Sequence, residues 1–436
     1  MKKVHITSLG CAKNLVDSEV LGGQLKQRNY TLTKFPEEAE LIIINTCGFI
    51  KDAKTESIQA IFEALKLKES DKDKQVFVTG CFSQRYKKEL ADEIPEIDAL
   101  FGTEDYKRIL ERLGENRFHA EDLYKFRELS TPKHFAYLKI SEGCNHTCAF
   151  CAIPNIRGSH RSRRMEDILD EAKILARQGV KELIIVSQDT SYYGKDIYQK
   201  STIIDLLTQL ATEDMFTWIR PLYWYPSNFP TEFIHLMNRY DSIIPYLDMP
   251  VQHASNYVLE QMRRAEKREN LIKMYEDIRN IRSDIVLRTT FIVGHPGESE
   301  SDFNLLKEFI EKIRFDRAGT FKYSDEEDTA AYAYDNKVSE QVADLRYSDL
   351  MEIQRQISTE KNQKLVNSRQ KVLIDAYDHQ QKYYSGRTFR DAPEIDNEIV
   401  ISDRKFNQDV IGTFRNVIIT DASEYELYGS FDVNLY

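Results

Sequence analysis

Ser141-Glu142-Gly143-Cys144-Asn145-His146-Thr147-Cys148-Ala149-Phe150-Cys151 follows an apolar run at residues 135–140. The spacing Cys144-x3-Cys148-x2-Cys151 places three thiols on one tight loop just after a predicted strand. Downstream, residues 165–178 read as a helix ending at Gly179, and 182–187 as a strand. Further strands around 217–221, 243–248, 285–293 and 318–323 continue the alternation. Short apolar strands separated by helices give a parallel α/β unit. About six of them form an open, partial (β/α) barrel rather than a small sheet.

Working outward, residues 1–130 form a first α/β unit. Strands are predicted at 4–9, 41–45 and 75–79, and helices at 15–28, 52–68 and 84–93. Cys11, Cys47 and Cys81 each fall just after one of these strands, separated by 36 and 34 residues, one βαβ unit each. Parallel strands end on one edge, so the three thiols converge in the crevice where open α/β sheets bind ligands. Gly10, Gly48 and Gly80 stand beside them, where glycine lets backbone approach a bound group closely. The bland alternative is three buried structural cysteines.

The central barrel unit spans 131–338. A helical connector follows at 339–369, predicted helical over 339–367. The tail at 370–436 carries short β-like runs at 371–375, 383–388, 398–401, 410–420 and 427–433, the pattern of a small antiparallel β-barrel.

The chain has 436 residues, 30% charged and 41% hydrophobic, with net charge −11. That is too apolar for a disordered chain. The apolar runs are far short of the roughly 20 residues that span a bilayer, so no membrane is expected as a partner. The opening residues 1–7 lack the apolar stretch of a secretory leader. Six cysteines without an export signal point to free thiols in a reducing cytoplasm. The acidic balance argues against broad nucleic-acid binding.

Soft thiolates suit zinc or an iron–sulfur cluster. Zinc needs a fourth ligand, which His146 or His160 can offer. A [4Fe–4S] cluster normally takes four thiolates, so three leave one iron open. Two such clusters use all six cysteines.

On these residues the sequence resembles the radical S-adenosylmethionine methylthiotransferases over nearly its whole length. Within them it is most similar to the RimO type. The carriers of the resemblance are 8–19 (Ser-Leu-Gly-Cys-Ala-Lys-Asn-Leu-Val-Asp-Ser-Glu), 45–50, 141–144 and 387–396. Ala12 departs from the usual Pro. The tRNA-modifying relatives typically carry Gln-Met-Asn where this chain has Ala12-Lys13-Asn14. The resemblance implies an N-terminal domain with an auxiliary [4Fe–4S] cluster on Cys11, Cys47 and Cys81. It implies a radical cluster on Cys144, Cys148 and Cys151, and a C-terminal TRAM domain. S-adenosyl-L-methionine would bind the open iron and serve as both radical source and methyl donor. The implied product is a methylthio group on the β-carbon of an aspartate of small-subunit ribosomal protein S-twelve. An electron donor and a sulfur source are implied partners.

The resemblance also places Phe150, Gln188, Asp189, Gln252, His253, Arg288 and Gly294 beside the cofactor. Each has a plainer reading. Gln188 and Asp189 can be a strand cap, His253 a satisfied half-buried histidine, Arg288 half of a structural ion pair, and Gly294 a simple turn. Arg157, His160, Arg161, Arg163 and Arg164 are a candidate anion clamp or a solvated turn.

Residues 370–436 hold seven Lys and Arg against twelve Asp and Glu, a net of −5. An acidic tail repels phosphates and attracts a basic protein such as a ribosomal protein. RNA binding is therefore not expected. The alternatives are the same chemistry on a tRNA base and a noncatalytic metal-binding adaptor in ribosome assembly.

Overall fold

Leu41–Thr46, buried along its whole length, is the central strand of the first sheet. The structure, a computed structural model, describes residues 1–115, 118–402 and 408–432. Lys3–Ser8 and Gln75–Gly80 flank the central strand in parallel, with Thr31–Leu32 and Ala99–Leu100 at the edges. The registers Ser8↔Asn45 and Thr46↔Gly80 align the carboxyl ends. Helices Ala12–Lys26 and Lys51–Ser70 return the chain between strands, and Cys81–Arg85 starts directly at the third strand's end. The glycines beside the cysteines make room for neighbouring strand ends. A Cβ on Gly10 would lie 2.7 Å from Cys47 Sγ.

The central unit has six parallel strands in sequence order: Phe135–Lys139, Glu182–Val186, Trp218–Pro221, Tyr246–Asp248, Val286–Val293 and Arg317–Lys322. The Trp218–Pro221 strand connects to the next only by the bridge Ile219↔Ile243, so the six-strand array is two three-stranded sheets nearly joined. Apolar residues such as Leu183, Leu206, Phe233, Leu271 and Phe303 pack the outer helices onto this wall. Another cluster runs from Val16 and Val20 through Tyr137, Ile184 and Trp218 to Leu373 and Ala392. All three units therefore share apolar core.

The connector helix is Glu340–Gln363, capped by the Ser339 hydroxyl accepting from Val342 N. It leads into a closed five-stranded barrel: Arg369–Asp378, Tyr383–Arg387, Glu398–Ser402, Phe414–Ala422 and Glu426–Phe431. Glu398–Ser402 and Glu426–Phe431 pair parallel, and the other pairs are antiparallel. The strand predicted from 410 begins only at Phe414. Gly412, at φ 75°, turns against His134, and its N–H donates to Ile374 O. Val433, expected to end the last strand, and Asp403, Arg404 and Lys405 of the tail's charge lie outside the described residues. Among the described residues no helix is long and apolar enough to cross a membrane.

Candidate iron–sulfur and substrate site

Every thiol of the two sets has a donor aimed at it. Cys11 is the N-cap of Ala12–Lys26, and the N–H groups of Lys13 and Asn14 point at its sulfur. Cys47 accepts from Phe49 N–H, and Cys81 from Arg157 Nε at 3.3 Å. In the barrel loop, Cys144 accepts from His146 N at 3.4 Å and Cys151 from Ile153 N–H. Cys148 faces Arg264 Nη1 at 3.9 Å. Donors of this kind stabilise thiolates and tune cluster potentials.

The thiols within a set also feel one another. Burial, then the neighbouring Cys11 and Cys47, push the Cys81 thiol up to about 12, against the pull of Arg157. Burial likewise lifts Cys144 to about 11, and burial with Cys148 and Cys144 lifts Cys151 to about 12. Cys11 is the exception. Burial pushes it up, but Lys13, Arg157 and the helix N–H groups bring it below the usual thiol range. Raised thiols held close together are the form expected of ligands that ionise only when a metal centre binds.

Zinc does not fit. Among the described residues no three His, Cys, Asp or Glu side chains are disposed to hold one ion. A cluster instead spreads its thiolates over separate irons. Each histidine offered as a fourth zinc ligand has one ring nitrogen engaged. His146 Nε2 bonds Asp189 Oδ2 at 2.6 Å while its ring stacks on Tyr225 at 3.7 Å, and His160 Nε2 bonds Ser162.

The Cys144 loop is pinned at its base, where Ser141–Glu142 pairs with Arg161–Ser162. Gly143, at φ 74°, lets the backbone pass against Ser159, and Cys144 N donates to Gly158 O. From this loop Arg157 reaches the other cysteine set. It is buried and bonds Cys81, Asn14 Oδ1 at 2.5 Å, Asp17 Oδ2 at 3.2 Å and both Glu142 oxygens at 2.9 Å. Lys139 adds to the network by pairing with Asp17 and with Glu142 at 2.8 Å. Burial penalises the Glu142 carboxylate, but Lys139 and Arg157 more than compensate and hold its pKa well below the usual range. Arg157 is thus neither a solvated turn nor an open clamp. Of its basic neighbours, Arg163 pairs with Glu171, while Arg161 and Arg164 pair with Glu104 and Glu166 at the surface.

The other expected cofactor contacts divide. Gln188 and Asp189 do lie at the strand ends beside the cysteine loop. Gln188 Nε2 donates to Glu142 Oε1 at 3.0 Å, and Asp189 holds His146 and caps the turn Thr190–Tyr192. Phe150 is half-buried on the loop. Gln252, at φ 70°, bridges Phe291. Three of the expected residues have partners within the chain. Arg288 is held by Asp248 at 2.8 Å and Asp396 at 3.2 Å, so no cofactor carboxylate is needed to satisfy it. His253 is fully buried, its Nδ1 accepting from Ser255 N and its Nε2 facing Glu298. Gly294 donates its N–H to Glu298 and packs against Ala343 of the connector helix, closing an internal turn.

The acidic tail also differs from its sequence reading. Asp375, Asp391 and Asp396 pair with Arg387, Arg317 and Arg288. Glu182 of the barrel binds Arg387 at 2.6 Å and Arg220 at 2.7 Å. Much of the 387–396 segment therefore locks the tail into the barrel instead of facing a partner. Sequence reading missed Arg264, Tyr225 and Glu142. Only the aromatic run 223–225 after a predicted strand could have drawn notice.

Three family models match the chain: Uncharacterized protein family UPF0004 over residues 3–102, Radical SAM superfamily over 138–310, and TRAM domain over 366–431. The chain is 46% identical over 430 residues to the ribosomal protein uS12 methylthiotransferase RimO of Bacteroides thetaiotaomicron, covering 98% of each. It is 45% identical over 442 residues to that of Clostridioides difficile, again covering 98% of each. Among solved structures, the radical S-adenosylmethionine methyltransferase TsrM from Kitasatospora setae shares the fold. Its TM-score is 0.54 at 13% identity, over 74% of this chain and 75% of that one.

Proposed function

This chain belongs to the RimO family of ribosomal protein uS12 methylthiotransferases, and from that premise we propose that it attaches a methylthio group to the β-carbon of an aspartate of uS12. The enzyme class is radical S-adenosylmethionine methylthiotransferase, combining sulfur insertion with methyl transfer. The observation that carries the reading is the meeting of two three-cysteine sets across one interface, with Arg157 spanning them.

Cys144, Cys148 and Cys151 would hold one [4Fe–4S] cluster, and Cys11, Cys47 and Cys81 the auxiliary one. When bound, these clusters and S-adenosylmethionine supply the radical, the sulfur and the methyl group. The chain's own residues prepare the place. The N–H and guanidinium donors would stabilise the thiolates once a cluster binds. The buried Asp17–Lys139–Glu142–Arg157 network fixes the two loops relative to each other and keeps water from the seam. Lys54 and Arg85 close the far side by pairing with Glu326 at 2.8 and 2.7 Å. His146, clamped between Asp189 and Tyr225, stiffens the loop that carries Cys144 and Cys148.

We place the unit boundaries near residues 130, 338 and 369 and the protein in the cytoplasm. An electron donor and a sulfur source are its further partners, and RNA is not. Relatives that share 45–46% identity with nearly the whole chain are uS12 methylthiotransferases, which favours this reading over the tRNA-base and adaptor ones.

The test uses anaerobically reconstituted protein with dithionite, S-adenosylmethionine, sulfide and a peptide carrying the uS12 target loop, with unmodified tRNA in a parallel tube. Mass spectra should show one methylthio group gained by the peptide and none by the tRNA, with the gain abolished by Cys144→Ala. Modification of the tRNA alone would move the substrate. Absence of deoxyadenosine despite full iron would remove the catalytic reading.

A further inference from the structure

Lys13 lies in the first turn of Ala12–Lys26 and is only 8% exposed. Its ammonium crosses from the first sheet to the barrel. There it donates to the carbonyl oxygen of Ser187 at 3.2 Å and stands 4.0 Å from the ring centre of Tyr223. Neither partner is an anion, and the one other acidic group the ammonium acts on nearby is the Cys11 thiol, not a carboxylate. Every other buried Lys or Arg among the described residues forms an ion pair with a carboxylate, as Lys139 does with Asp17 and Arg387 with Glu182. A buried cation without a carboxylate is costly, and a ligand that brings one relieves the cost.

Two neighbours point the same way. Gln188 Oε1, next along from Ser187, is a buried acceptor with no donor, although its Nε2 is engaged by Glu142. Tyr223 sits at φ 62°, a conformation that strains a residue with a side chain and that clusters at binding sites. The crevice therefore offers a cation for a carboxylate and an acceptor for an N–H. An acidic residue presented in a peptide loop carries both. The place is also right for chemistry. Ser187 and Tyr223 lie at the carboxyl ends of adjacent barrel strands, and Lys13 is two residues from Cys11.

We propose that Lys13 is a specificity-determining residue whose ammonium takes the side-chain carboxylate of the substrate residue and holds its β-carbon between the two cysteine sets. This rests on the reading of the chain as an aspartate-modifying enzyme. Its geometry selects a carboxylate over the isosteric amide, because an Asn side chain leaves the buried ammonium without a carboxylate.

The experiment measures equilibrium binding of fluorescent target-loop peptides to the reconstituted, two-cluster protein. One peptide carries Asp at the target position and the other Asn. The wild type should bind the Asp peptide at least about tenfold more tightly. Lys13→Met should weaken the Asp peptide to the level of the Asn peptide, and Lys13→Arg should restore most of the preference. Iron content and melting temperature report whether each variant is assembled. Equal binding of both peptides by the wild type overturns the proposal without any variant. So does a Lys13→Met protein that keeps the preference, or one that loses only affinity for S-adenosylmethionine, which would give the ammonium to the cofactor's carboxylate. Failure of the wild type to modify an Asp peptide that it binds selectively would instead count against the aspartate reaction and leave the carboxylate site standing.

Discussion

Arg157 Nε lies 3.3 Å from Cys81 Sγ, although the two residues belong to different units of the chain and are 76 positions apart. The same guanidinium grips both oxygens of Glu142, two residues before Cys144. One rigid, always-charged side chain therefore spans the two cysteine sets. Arginine suits this role because its planar fork can satisfy a carboxylate and still present Nε elsewhere. Arg157→Gln should leave Asp17 and Glu142 sharing Lys139 alone as cationic partner and cost about 3–5 kcal/mol. Arg157→Lys should cost less, since charge survives but the fork does not. Thermal melts of the iron-free proteins read the first effect. A more negative midpoint potential of the auxiliary cluster, measured with Cys144, Cys148 and Cys151 replaced by Ala, reads the lost N–H···S bond.

The two cysteine sets should load independently. Wild-type protein should take up about eight irons, and Cys148→Ala or Cys81→Ala about four each. Either single variant falling to zero iron would mean that the sets form one site. Iron analysis after anaerobic reconstitution decides.

Gly10→Ala should impair only the auxiliary set. The new Cβ would lie 2.6 Å from Cys47 Cβ and 2.7 Å from its sulfur, and φ 85° is itself unfavourable for alanine. Cys47 must move, and the loop it shares with Cys11 and Cys81 opens. Iron should fall toward about four per chain, with the spectrum of the Cys144 set unchanged.

Acid should loosen the barrel's upper turn through His295. Burial pushes its pKa down to about 4. Nδ1 bonds Pro296 O at 3.0 Å, while Nε2 is buried without a partner, so a second ring proton has no acceptor. The unfolded chain binds a proton near pH 6.5 that the folded one refuses until about 4. Stability from this group is therefore full above about 6.5 and is lost as pH falls toward 4, by about 3 kcal/mol at most. The melting temperature of the iron-free protein should drop over that window, and His295→Gln should flatten the drop. An equal drop in the variant would assign it to other groups.

Local patterns were the legible part. The strand-end positions of Cys11, Cys47 and Cys81 follow from apolar runs of strand length, and the Cys144 loop from its spacing. Parallel strands necessarily deliver their trailing residues to one edge. Arg288 and His253 were not legible in the same way. An arginine inside a strand needs a partner, but nothing nearby says whether Asp248 and Asp396 or a ligand supplies it. Asp396 is 108 residues away. The tail's charge was only partly legible for the same reason. Net charge counts Asp375 and Asp391, but only the fold shows that arginines already hold them.

The sequence by itself determined the two α/β units, the small β-barrel and the six thiols with their two groupings, because each depends on periodicity and on short spacings along the chain. Only the tertiary structure decided that Arg157 reaches from the Cys144 loop to Cys81 of the other set, and that Lys13 is buried without a carboxylate. Those facts depend on which charges meet across a desolvated seam. Contacts between residues more than a hundred positions apart leave no periodic trace in the chain.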